Sequence, residues 1–96
     1  MNSIKLSDYV GSFAENKEKA RDLRIKLIIP ALEGGQSIVL DFDGIDAATQ
    51  SFIHALLSDV FRKYGTDVLD QIMFKNCNET LQKIISIVSD YMQEAD

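Results

Sequence analysis

Thr49, Gln50 and Ser51 stand where a short apolar stretch gives way to an amphipathic one, and two of the three carry hydroxyls. A helix start leaves backbone N–H groups unpaired, and Thr and Ser oxygens accept from them. Hydroxyls placed there are also exposed enough to meet a partner or take a phosphate. Just upstream, Asp41, Asp43 and Asp46 gather carboxylates that could help hold Mg²⁺ if a phosphate were supplied. No Gly-x-x-x-x-Gly-Lys loop is present to cradle that phosphate, and Asp43-Gly44 is good turn chemistry. A solvated strand end is the stronger reading. His54 and Cys77, the one histidine and the one cysteine, would make a base and a nucleophile if they met. They fall on different predicted elements with no orienting motif, which favours a partly exposed His and a half-buried Cys. No Ser/His/Asp order, Cys-x-x-Cys or metal-binding histidine spacing occurs. The chain therefore reads as non-enzymatic, with no cofactor and no metal.

Three strand–helix units must position these residues. Ile4 and Leu6 alternate with Lys5 and Ser7, the period of a half-buried strand. Tyr9-Val10-Gly11 reads as its exit, and Ser12 as the cap of the next helix. From about 13 to 32 the period is helical, with Ala20, Leu23, Leu27 and Ala31 as the stripe and Ile25, Ile29 and Leu32 widening it. Pro30 predicts a kink or a break before it, and Gly34-Gly35 ends the segment. The second strand spans 38–42. Ile38, Leu40 and Phe42 point one way; Val39, Asp41 and Asp43 point the other. The second helix spans 50–64, with Phe52, Leu56 and Val60 on its core face, and Gly65 closes it. A third strand, 72–75, sends Lys75 outward. The last helix runs from its cap at Asn78 to about Met92, striped by Leu81, Ile84, Ile85, Val88 and Met92; the tail Glu94-Ala95-Asp96 reads as frayed.

This order, βαβαβα, predicts a single α/β domain over 1–96. Its sheet is parallel or mostly parallel, because strand–helix–strand connections make parallel pairs. Carboxylates on one face of the second strand predict helices packed on the other face only. Val39 and Met73 then point to the open face, a candidate surface for association.

Fifteen acids against ten bases give a net charge of −5, which argues against nucleic acid. Lys17, Lys19, Arg21, Arg24 and Lys26 form a candidate basic face, but acids lie among them, so a solvated helix is the better reading. A lone cysteine fits a reducing compartment. No secretory leader follows Met1, and the apolar run around Ile28-Ile29-Pro30-Ala31-Leu32 is too short to span a bilayer. The expectation is a cytoplasmic protein without a membrane partner.

The run Val39-Leu40-Asp41-Phe42-Asp43-Gly44-Ile45, then Thr49-x-Ser51-Phe52 and Phe74-x-Asn76, resembles the STAS-like family of small bacterial proteins. These are similar to anti-sigma-factor antagonist domains. The resemblance implies a parallel sheet with helices on one side and a regulatory role. In those antagonists a serine at the start of the second helix is phosphorylated by a partner kinase, and the phosphate blocks docking. The family pattern Asp-Ser-Ser-Gly falls here on Thr49, Gln50, Ser51 and Phe52, with Gln50 at the usual phosphoserine position. Glutamine takes no phosphate, so Ser51 and Thr49 are the hydroxyls left open to modification. The resemblance implies a protein partner, a histidine-kinase-like ATPase of the anti-sigma type, met through Asp43, Asp46, Thr49, Gln50 and Ser51. Two other readings compete: a small-molecule or nucleotide-binding domain, and a structural homodimer.

Overall fold

Ile38, Val39 and Leu40 are all buried, and the strand that holds them, β3 (Ile38–Asp41), is the middle of a parallel sheet. It lies between β1 (Asn2–Lys5) and β5 (Ile72–Lys75). The computed structural model describes residues 2–94; Ala95 and Asp96 of the predicted frayed tail lie outside them. Ile4, Leu40 and Phe74 share one rung, as do Lys5, Asp41 and Lys75. Because side chains alternate, Ile38, Leu40 and Phe42 face one way, and all three belong to the single hydrophobic core. Val39 is buried yet stands outside that core, and its neighbour Met73 is half exposed. The helices therefore cover one face, as the alternation predicts. Val39 corrects the expectation of an open apolar patch: it is buried, leaving Met73 as the exposed member.

The stretch after β1 departs from expectation. Residues Ser7–Val10 form one helical turn, α1, where a strand exit was expected. Phe13–Ala14 (β2) then pairs in parallel with Ala47–Ala48 (β4), making a second, two-stranded sheet. A two-residue strand carries no periodic signal, so the helical reading from 13 absorbed it. Ser12 caps nothing; its carbonyl accepts from the Asp46 N–H at 2.8 Å. The helix α2 (Lys17–Leu23) starts instead behind Asn16, whose Oδ1 accepts from Glu18 N at 2.9 Å and Lys19 N at 3.2 Å.

Pro30 does not break the helix. α2 passes into a π-helical turn, Arg24–Ile28, and then into α3 (Ile29–Glu33). Ile29 N–H reaches five residues back to the Arg24 carbonyl. The wider turn takes up the missing proline donor and ring crowding within a continuous helix. It also rotates the buried stripe: Arg24 and Ile28 turn inward, Leu27 is half-buried and Ile25 is exposed.

The helix α4 (Gln50–Tyr64) matches its predicted bounds and buries Phe52, Ile53, Leu56, Leu57, Val60 and Phe61. Gly65 ends it at φ 76°, a left-handed conformation that favours glycine. A 3₁₀ segment, Thr66–Gln71, leads into β5. The last helix, α5 (Glu79–Glu94), is capped as predicted: Asn78 Oδ1 accepts from Leu81 N at 2.8 Å. α4 packs between α2 and α5.

Candidate functional site

Thr49 is extended at φ −85° and ψ 155°, and its Oγ1 accepts from Phe52 N at 3.1 Å. That contact makes it the N-cap of α4, an interaction that contributes about 1 kcal/mol. Thr49 N–H in turn donates to the Ala14 carbonyl at 3.0 Å, so the β2–β4 pair fixes the approach to the helix. Gln50 and Ser51 follow on the first turn, both exposed, and the Ser51 hydroxyl has no hydrogen-bond partner among the described residues. The two hydroxyls thus differ: one is engaged as a cap and the other is free.

The predicted acidic cluster is divided. Asp41 Oδ1 accepts from Asp43 N at 2.9 Å and from Asn76 Nδ2 at 2.8 Å. The Asn76 hydrogen bond, followed by that of the Asp43 amide, holds the Asp41 carboxyl below its ordinary value of 3.8. Gly44, at φ 87°, turns the chain immediately afterwards, and a Cβ there would meet Ser7 Oγ at 3.1 Å. Asp46 is bound through its backbone: its carbonyl accepts from Asn78 Nδ2 at 2.9 Å. The loops after β3 and β5 are therefore stitched together by Asn76 and Asn78, and Asn76 accepts φ 60° to do so. Asp43 and Asp46 remain exposed at this edge. Among the described residues no group of three His, Cys, Asp or Glu could hold a metal ion.

The clamp has a pH signature. Asp41 titrates lower folded than unfolded, so its contribution is complete above 3.8 and disappears as pH falls through the folded value. Asn76→Gly keeps the backbone conformation but deletes the donor. In that variant, Asp41 titrates closer to 3.8, and stability depends less on pH in the acid range. Carboxyl-carbon NMR titration with acid unfolding curves checks both outcomes.

Gln50 and Ser51 also line a groove of about 740 Å³ between α2, α4 and α5. Lys17 and Arg21 of α2, with Arg24 of the π-helical turn that follows, form one wall, and Ile87 and Tyr91 of α5 contribute to the other. Arg24 corrects the reading of its segment as wholly solvated. It is 7% exposed, donates from Nη1 to the Ala55 carbonyl at 2.6 Å and pairs through Nη2 with Asp59 at 3.0 Å. Its Nε has no hydrogen-bond partner. Asp59 also meets Arg62 at 3.4 Å. The sequence did hold a signal for this wall: positions 17, 21 and 24 repeat at four and three residues and so share a helix face. Alternation with acids masked it.

His54 lines the groove too, its ring 6.3 Å from that of Tyr91. Cys77 borders a separate crevice with Phe74, Asn76 and Gln82, so the structure does not bring His54 and Cys77 together. Burial, with a smaller push from Asp41, moves the Cys77 thiol up, away from an activated thiolate.

The comparisons with known proteins agree with this geometry. A family model described as a STAS-like domain of unknown function (DUF4325) matches residues 19–82, from α2 to the first turn of α5. No curated protein and no solved structure matches the chain. No helix among the described residues is long and apolar enough to cross a membrane. With the parallel sheet, the single helical layer and that match in hand, the chain belongs to the family of STAS-like domains.

Proposed function

We propose that this chain is a non-enzymatic regulatory module that docks a partner protein through the first turn of α4 and the loop, 43–48, that leads into it. The observation that carries the reading is the exposure of Gln50 and Ser51 on a helix start whose cap is already supplied by Thr49. The side-chain cap is made without them, and neither side chain has a hydrogen-bond partner among the described residues, which leaves both available to another molecule. The resemblance to anti-sigma-factor antagonists supports a histidine-kinase-like ATPase as the partner.

Ser51 is the better phosphate acceptor of the two hydroxyls, since Thr49 is committed to its cap. A phosphate on Ser51 would bring about −1.5 to −2 charges to the positive end of a helix dipole. Lys17 and Arg21 line the same groove. The modified form would thus be held against its own basic wall, changing what the groove offers a partner.

Paired substitutions test the docking face. Gln50→Arg places a bulky cation in the first turn of α4, and Met73→Arg places one on the outer sheet face; both positions are exposed, so both variants are expected to fold, which circular dichroism checks. Titration calorimetry with the ATPase is expected to show weakened binding for Gln50→Arg and unchanged binding for Met73→Arg. The reverse pattern would move the docking surface to the sheet.

A further inference from the structure

We infer that the groove between α2, α4 and α5 receives an acidic segment of the partner protein that also carries an apolar anchor; this rests on the docking reading of α4.

Charge carries the first half of the argument. The protein is acidic, at net −5, yet the α2 wall of this groove is cationic. Lys17 and Arg21 make no ion pair among the described residues, whereas Arg24, Arg62 and Lys63 all do. Asp59, the one acid lining the groove, is already bound by Arg24 and Arg62. Two cations therefore face the groove without compensation. Arg24, on the same wall, is buried, and its Nε has no hydrogen-bond partner. A ligand rich in carboxylates complements such a wall and gains in association rate and specificity.

The opposite wall supplies the second half. Ile87 is 52% exposed and Tyr91 63%, two large hydrophobic side chains one helical turn apart on α5. Tyr91 stands beside the His54 ring. A simple anion would leave this shelf wet, and an apolar ligand would leave Lys17 and Arg21 unanswered. A segment with carboxylates on one side and Leu or Phe on the other meets both walls. Aromatic residues and arginine beside one another are also what interface centres favour. The groove is open and bounded by three helices, which suits a length of chain.

The test uses the whole protein, labelled with ¹⁵N, and three synthetic probe peptides of equal length. The first alternates Glu pairs with Leu and Phe, the second replaces its Glu with Lys, and the third replaces its Leu and Phe with Ser. Inorganic phosphate and AMP are titrated separately. The first peptide is expected to shift the amides of Lys17, Arg21, Gln50, Ser51 and Tyr91 saturably. The Lys17→Glu, Arg21→Glu double variant, altered only at exposed positions, is expected to bind it about tenfold or more weakly, as for loss of complementary interface charge. Equal shifts from the Lys or Ser peptide would overturn the inference. So would no groove shifts from the first peptide, or saturation by AMP or phosphate that the first peptide cannot displace. If the ATPase binds the double variant normally but still fails to bind Gln50→Arg, docking at α4 stands and the acidic-segment inference falls.

Discussion

Phe52→Ala is expected to remove about 3–5 kcal/mol of stability, the usual cost of emptying a fully buried phenylalanine site. Phe52 is 0% exposed and packs in the core from the third residue of α4, while its backbone N–H donates to the Thr49 cap. A whole domain is stable by only about 5–15 kcal/mol, so the loss is a large share. Because the ring anchors the turn that presents Gln50 and Ser51, docking is expected to weaken along with the fold. Phe52→Leu, closer in volume, is expected to cost less and to keep the partner. Urea unfolding followed by circular dichroism reads the first effect, and calorimetry on the folded fraction reads the second.

Ser51→Glu is expected to lower affinity for the proposed ATPase partner by about 30-fold or more, or about 2 kcal/mol, in the range for disturbing a charged contact inside an interface. The position is exposed and near the start of α4, where a carboxylate favours the helix, so stability is expected to hold or rise slightly. The loss is therefore one of recognition. The introduced carboxylate would stand in the groove with Lys17 and Arg21, occupying the cations that an incoming acidic group would use. Ser51→Ala, which removes the hydroxyl without adding charge, is expected to stay near wild type. Comparable losses for both variants would show that the hydroxyl itself makes the contact.

Long periodic elements were legible from the residues alone. The α4 stripe of Phe52, Leu56 and Val60 marked its face and bounds, and the alternation around Leu40 indicated a sheet covered on one side. Thr49 and Asn78 were recognisable as caps because their side chains act on neighbouring backbone. What stayed hidden depends on contacts distant in sequence. The pairing of Phe13–Ala14 with Ala47–Ala48 exists only once the loops converge. Arg24 looked like one more surface base until the π turn before Pro30 aimed it at Ala55 and Asp59. The candidate site was half visible. Its α4 residues could be named from local chemistry, but Lys17, Arg21, Ile87 and Tyr91 join them only through helix packing.

Photocrosslinking at two positions tests the docking claim most directly. A benzophenone-bearing amino acid is placed at position 51 or at position 73 in the cell that makes the protein, and adducts are identified by mass spectrometry. Docking at α4 predicts that position 51 yields an adduct with a histidine-kinase-like ATPase, and that position 73 yields none. An adduct with that ATPase from position 73 and not from position 51 would contradict it.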